Sequence, residues 1–321
     1  MNASLELLIS ELSQPLSGIN PSSLRSKLNA FIETVSSSHG NITIELRQLR
    51  YIALFLKDSQ DELLLRLLLH SLYLIMRSPA NRQLLHQDTS LIDISLGKLK
   101  KLFPQHQLLH ELLPLITLLC HEETLVHHFL GLGLIELLFS MWIHLDHDLL
   151  LIDALSLLQA VCCCREGRLR LHLHDKRILT RLQNLLSSDN PSVQARAVGT
   201  FHNISIEGSF IRDIREAGVI PRLAQLLTSP DRGTLRAAIG TLQNLSREHL
   251  SRLVILEQPD LVLHIVPLVF GSGLACQTAA AGALLNLLGP SLSTPELESL
   301  MTFLSDGIAI GAIRSSIFDF G

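Results

Sequence analysis

The chain has 321 residues, of which 47% are apolar and 17% charged, so it can bury a sizeable core and is not a disordered chain. Its formal net charge of −4 argues against a nucleic-acid-binding protein, because such proteins usually carry a strong basic excess. Leucine dominates the apolar residues and aromatic residues make up only 4%, which favours an all-α protein.

The N-terminus and the cysteines indicate a reducing compartment. The first residues, Met1 to Glu6, contain no basic stretch, so we predict no signal peptide. Three of the five cysteines are consecutive (Cys162–Cys164), a spacing that does not suit a disulfide framework. No uncharged apolar run reaches 18 residues, so no membrane span is expected. We therefore expect a cytoplasmic or nuclear protein.

In chain order, the predicted helices repeat with a period near 42 residues. Three segments align without gaps, and their asparagines, Asn203, Asn244 and Asn286, lie 41 and 42 residues apart. A weaker match extends the same register upstream, where the asparagine position is occupied in turn by Thr34, Leu74, Leu118 and Ala160. A period of this length is typical of helical repeat proteins.

One repeat contains three predicted helices. The first covers Phe210–Ala217 and ends at Gly218, since glycine tolerates the left-handed backbone that follows a helix. The second covers Ile220–Leu227, with a proline in its first turn, where a missing N–H costs nothing. After a short turn, the third and longest helix covers Thr234–Ser246. In this helix we predict Leu242 to be buried, and Leu284 at the equivalent position one repeat later.

The segments Glu216–Ser229 and Ala237–Ser246 resemble an armadillo repeat of the β-catenin and plakophilin kind. This resemblance implies an all-α fold, a right-handed α-solenoid of about six to seven armadillo-like three-helix repeats. The predicted organisation is an N-terminal helical region with a degenerate first repeat (1–58), degenerate repeats (59–174), well-formed repeats (175–290) and a C-terminal partial repeat (291–321).

The resemblance also implies a binding groove along the third helices. The candidate residues recur at equivalent positions, three asparagines each preceded by a glycine one turn earlier: Asn203 with Gly199, Asn244 with Gly240, and Asn286 with Gly282. A ladder of asparagine amides can pair with the backbone of an extended peptide. The alternative is that each asparagine fixes the following loop, through an Asx turn or by satisfying a helix-end carbonyl, and both roles can hold together.

The sequence departs from two armadillo patterns. Importin-α places a tryptophan one turn before each groove asparagine, whereas this chain has glycine there, so recognition of nuclear-localisation signals is disfavoured. Grooves of the β-catenin kind are strongly basic and meet acidic ligands, whereas the best basic candidates here are Arg196 and Arg236, joined by Arg212, Arg215 and Arg222. The alternative for all five arginines is ordinary solvated charge. Upstream repeats lack the asparagines, so we expect binding in the C-terminal half.

The remaining sequence gives little indication of a metal site, a cofactor site or a catalytic site. The chain has 15 histidines, several of them near Cys162–Cys164, but no spacing typical of a zinc site occurs. Motifs for phosphate or dinucleotide binding and for a catalytic nucleophile are also missing from the sequence. We therefore predict no metal, no cofactor and no enzymatic activity, with Cys162–Cys164 packed at a helix end.

The predicted function is that of a protein-interaction scaffold or adaptor that binds an extended or helical segment of a partner protein in its groove. The alternative is a structural or regulatory subunit of a larger cytoskeletal, ciliary or nuclear assembly, which would use its edges and its C-terminal end. The oligomeric state stays open, and neither nucleic acid nor a membrane is an expected partner.

Overall fold

The computed structural model describes Leu8 and residues 20–37, 42–102, 106–142, 148–173, 177–271 and 273–288. Within these residues the secondary structure is helical, and no strand occurs. The predicted partial repeat at 291–321 lies outside the described residues. The chain divides into two compact units, Met1–Gly167 and Arg168–Gly321.

The first unit contains nine complete helices among its described residues. They are α1 (Pro21–Ser37), α2 (Leu46–Asp58), α3 (Glu62–Met76), α4 (Pro79–Gln83), which continues into a 3-10 turn (Leu84–His86), α5 (Ser90–Leu102), α6 (His106–Leu119), α7 (Glu123–Gly131), α8 (Leu134–Trp142) and α9 (Asp148–Val161). Helix α10 (Arg165–Leu173) contains the boundary between the units.

The described part of the second unit continues with eight helices. They are α11 (Arg177–Leu185), α12 (Pro191–Ser205), α13 (Gly208–Glu216), α14 (Ile220–Leu226), α15 (Arg232–Leu245), α16 (His249–Leu256), α17 (Pro259–Gly271) and α18 (Leu274–Leu287).

The longest helix of each repeat packs against its equivalent in the next repeat. In the first unit these third helices form the series α1, α3, α6 and α9, and in the second unit the series α12, α15 and α18. The register residues lie in or next to the last turn of these seven helices, from Thr34 in α1 to Asn286 in α18. Each unit is therefore an α-solenoid, as the sequence predicted.

Local chemistry fixes where the helices of a repeat begin and end. Gly218 has a φ of +70° and separates α13 from α14, which confirms the predicted helix end. The third helix α15 begins at Arg232, two residues before the predicted start. The carboxylate of Asp231 accepts a hydrogen bond of 2.7 Å from the backbone N–H of Thr234, and such a cap stabilises the first turn.

The core of the solenoid consists mainly of leucine, isoleucine and alanine side chains between adjacent helices. Leu242 of α15 is fully buried, as predicted. The prediction for Leu284 was wrong, because this side chain is only half-buried. Helix α18 is the last third helix among the described residues, so no further third helix in that part of the chain covers it. Its buried residues are Cys276, Ala279, Ala280, Ala283 and Leu287.

Pro114 lies inside α6, which begins eight residues earlier at His106, so the proline does not start this helix.

Among the described residues no individual helix combines the length and the apolar composition that a membrane crossing requires, although three bent helix pairs reach them by length and composition alone.

Candidate functional site

The eight predicted groove residues lie on three adjacent helices, α12, α15 and α18. We call this surface the C-terminal polar face and define it by the residues Arg196, Gly199, Asn203, Arg236, Gly240, Asn244, Gly282 and Asn286. The three asparagines are half-buried, and both arginines are exposed. Each glycine precedes its asparagine by four residues, so the two lie on the same side of their helix.

The asparagine amides connect neighbouring repeats. The Nδ2 of Asn244 donates to the hydroxyl of Ser205 at the end of α12, over 3.0 Å. One repeat later, the Nδ2 of Asn286 donates to the hydroxyl of Ser246 at 3.0 Å and to the carbonyl of Gln243 at 3.2 Å. Asn244 and Asn286 thus contact the end of the preceding third helix.

The serines extend this connection into the helix ends. Ser205 donates its hydroxyl proton to the carbonyl of His202 at 2.8 Å, and Ser246 does the same to Gln243 at 2.8 Å. These carbonyls lie in the last turn of their helices, where no backbone N–H of the same helix is available to donate to them. The asparagines and serines therefore satisfy the helix ends and hold adjacent third helices in register.

One acceptor on each of these two asparagines has no hydrogen-bond partner among the described residues. The Oδ1 atoms of Asn244 and Asn286 accept no hydrogen bond from the described part of the chain. An amide oxygen of this kind can accept the backbone N–H of an extended peptide. In both asparagines the amide nitrogen is engaged in structure while the oxygen accepts no hydrogen bond, so the local role and the groove role can hold together.

The glycines are packing positions. A Cβ atom at Gly240 would collide with the imidazole of His202, and a Cβ atom at Gly282 would collide with the side-chain amide of Gln243. Both His202 and Gln243 come from the preceding third helix and lie directly before a groove asparagine in the sequence. Glycine therefore lets each of these side chains lie across the next helix.

His202 and Gln243 lie directly against Gly240 and Gly282 of the C-terminal polar face, and neither was predicted as a site residue. Burial lowers the pKa of His202, and the nearby positive charge of Arg236 lowers it further. The imidazole therefore favours its neutral form, and its buried Nδ1 has no hydrogen-bond partner within the described ranges. The sequence signal that could have identified them is their shared position, one residue before the asparagine in two consecutive repeats.

The positive charge of this face is concentrated at the start of α15. Arg236 and Arg232, which lies one turn earlier, are both exposed, and neither forms an ion pair or a side-chain hydrogen bond with any described residue. They line a cleft of about 350 Å³ together with the first turn of α18. That turn contains no acidic residue and has no side-chain cap, since Gly273 occupies the cap position with a φ of +84°.

Three of the other basic candidates are engaged elsewhere. Arg215 pairs with Glu248 at 2.9 Å, and Arg212 pairs with Glu216 at 2.8 Å on its own helix. Arg222 donates to Gln225 at 3.2 Å. Arg232 was not selected from the sequence, and its position one turn before Arg236 was the signal that could have identified it.

The third helices of the first unit are connected by different side chains. His70 of α3 lies 3.1 Å from Glu111 of α6, and His110 of α6 lies 3.1 Å from Asp153 of α9. These pairs are 41 and 43 residues apart, the length of one repeat. Histidine and carboxylate thus connect adjacent repeats where asparagine and serine do so in the second unit.

Within the described ranges, no three histidine, cysteine or acidic side chains are placed to hold a metal ion. His172, from one of the histidine clusters, pairs with Asp213 at 3.3 Å, and His144, His147 and His174 lie outside the described residues.

The cysteines are free thiols. Cys162 and Cys164 are buried at the end of α9, as predicted, whereas Cys163 is exposed. Burial raises the pKa of the Cys120 thiol well above its usual range, with a smaller contribution from Cys164.

Comparison with known proteins supports the same fold. Residues 210–247 match the family model of the Armadillo/beta-catenin-like repeat. None of the curated proteins compared with this chain is significantly similar to it in sequence.

Similar solved structures include three crystal structures of engineered proteins from the Northeast Structural Genomics Consortium. One shares 17% identity and a TM-score of 0.72, and the alignment covers 95% of this chain and 78% of the engineered chain. The second shares 18% identity with a TM-score of 0.62, covering 78% and 97%. The third shares 20% identity with a TM-score of 0.63, covering 76% and 99%. At these identities the likeness establishes the fold alone.

Proposed function

Because this chain carries an armadillo repeat within an α-solenoid, we propose that it is a protein-interaction scaffold or adaptor. Repeats of this kind generally mediate protein–protein interaction. The proposal assigns binding to the C-terminal polar face and an extended, acidic segment of a partner protein as its ligand. It assigns no chemical step to the chain. The free thiols suit a reducing compartment, so we place the protein in the cytoplasm or the nucleus.

The observation that carries the proposal is the pair of unpaired guanidinium groups, Arg232 and Arg236, at the start of helix α15, whose last turn carries Asn244 with its open amide oxygen. Guanidinium groups bind carboxylates in a bidentate geometry, and each such hydrogen bond is stronger than one between neutral groups. The Oδ1 atoms of Asn244 and Asn286 supply acceptors for backbone N–H groups of the same ligand. An acidic segment in extended conformation satisfies both sets of groups.

The two arginines allow a cleaner test than the asparagines, because the Nδ2 of Asn244 also holds α12 against α15. We would select short random peptides on the full-length chain and measure their affinities for the double variant Arg232→Glu and Arg236→Glu. We expect the selected peptides to be enriched in Asp and Glu, and the double variant to bind them roughly tenfold more weakly or worse. Affinity for the wild type should fall with added salt.

A matched control has the same change in net charge at another place in the unit. Arg212→Glu with Arg222→Glu alters one exposed and one half-buried side chain, on α13 and α14, outside the C-terminal polar face. This control should keep the wild-type affinity. Selected peptides that lack an acidic bias, or that bind the Arg232 and Arg236 variant as tightly as the wild type, would refute the proposed ligand class.

A further inference from the structure

A second surface, in the first unit, has the composition of a docking cleft. Helices α2 and α5 pack against each other and enclose a cleft of about 590 Å³. These are not third helices, so the cleft is separate from the series α1, α3, α6 and α9. The stretch of α5 along the cleft, from Ser90 to Lys101, is roughly 16 Å long at 1.5 Å per residue, the length of about three helical turns.

The floor of the cleft is apolar and open. It is formed by Ala53 and Leu54 of α2 and by Ile94 and Gly97 of α5. Leu54 is 54% exposed, unlike its fully buried neighbour Leu56. A Cβ atom at Gly97 would meet no atom within 4 Å, so no described neighbour requires a glycine there. Glycine inside a helix is less favourable than alanine, and here it leaves open space above the helix.

The charges along the cleft are unevenly distributed. At one end, Arg50 and Asp88 form an ion pair of 2.6 Å. At the other end lie three lysines, Lys57, Lys98 and Lys101, with the carboxylate of Asp58 close to Lys98. The cleft also contains Asp93, which lies nearer the start of α5 and is paired with His128 at 3.0 Å.

The lysine end has a surplus of positive charge. Lys98 donates to the carbonyl of Ser59 at 3.1 Å, and its pKa is lowered by burial and by the charge of Lys101. Lys57 and Lys101 form no hydrogen bond or ion pair with the described residues. A ligand with carboxylates at this end would therefore gain attraction without displacing an existing partner.

We propose that this cleft docks an amphipathic helix of a partner protein, with apolar side chains along the α2–α5 floor and a cluster of carboxylates against Lys57 and Lys101. An apolar groove of this kind accepts side chains spaced three and four residues apart on one helix face. The lysines set the orientation of the helix, because its acidic end must lie at the C-terminal ends of α2 and α5. This surface is independent of the C-terminal polar face.

The test uses a displayed library of helical peptides with randomised surface positions, selected on the full-length chain. Counter-selection on Gly97→Leu removes peptides that bind elsewhere, since the new side chain fills the cleft without a clash. Gly131→Leu is the matched control, because Gly131 is also a helical glycine with no atom within 4 Å of a Cβ, and it lies outside the cleft. Leu54→Gln is a second variant in the floor, should Gly97→Leu fold poorly.

We expect to recover peptides that bind the wild type and Gly131→Leu equally, lose at least tenfold affinity for Gly97→Leu and Leu54→Gln, and are enriched in carboxylates at one end. Lys57→Glu with Lys101→Glu should weaken them by a similar factor, whereas Lys57→Arg with Lys101→Arg should not. Failure to recover such peptides, or recovery of peptides without the acidic bias, would overturn the proposal.

Two other occupants are distinguished by the same variants. Self-association of the wild type in sedimentation analysis, abolished by Gly97→Leu, would assign the cleft to a second copy of the chain. If a synthetic peptide of residues 289–321 displaces the selected peptides from the wild-type chain, the cleft would be assigned to that segment of the same chain. Either result would overturn the proposal of a partner protein.

Discussion

The hydrogen bond between Asn244 and Ser205 provides the sharpest test of how the repeats are held together. In Asn244→Ala the Nδ2 donor is lost, while Ser205 still donates to the carbonyl of His202. In Ser205→Ala that carbonyl loses its hydroxyl donor, and the amide of Asn244 loses its acceptor. Because Ser205 is fully buried, water cannot replace it there without a rearrangement. A single hydrogen bond between neutral groups contributes about 0.5–1.5 kcal/mol.

A double-mutant cycle isolates this contribution. The unfolding free energies of the wild type, the two single variants and the double variant are measured by urea denaturation followed by far-ultraviolet circular dichroism. We expect a coupling energy of about 0.5–1.5 kcal/mol between Asn244 and Ser205, because the second substitution removes a bond that the first has already broken. Additivity within about 0.3 kcal/mol would show that the two side chains do not interact, and would refute the inter-repeat connection.

Three further predictions address the core, the acid stability and the thiols. Leu242→Ala should lower the free energy of unfolding by about 2–5 kcal/mol, because it leaves a cavity in the core. Leu284→Ala should lower it clearly less, because Leu284 is only half-buried. Urea denaturation of both variants measures the two losses. Hydrogen bonds, of which the one from Arg50 has the largest effect, lower the pKa of Asp88 from 3.8 to about 2. The ionised carboxylate therefore stabilises the fold at neutral pH, and this contribution is lost as the pH falls from about 4 to about 2. An acid titration followed by NMR should give a midpoint for Asp88 near pH 2. Among the described thiols, Cys163 alone is exposed and should react with iodoacetamide in the native protein, which peptide mass mapping would show.

The sequence by itself determined the helices and their register. Gly218 ends a helix because glycine adopts a positive φ without strain, and Pro221 begins one because the first turn needs no N–H from it. These are local effects of one residue on its neighbours. The recurrence of Asn203, Asn244 and Asn286 added the repeat length, and the resemblance to armadillo repeats added the way in which the repeats pack.

Only the tertiary structure decided what each of these residues contacts. The partner of Asn244 is Ser205, 39 residues away, and the residue that fills the space above Gly240 is His202 of the preceding helix. Leu284 has the same place in its repeat as Leu242, yet it is exposed in part because no third helix among the described residues follows α18. Periodicity specifies which face of a helix is repeated, whereas burial and hydrogen bonding depend on the neighbouring repeat that the face meets.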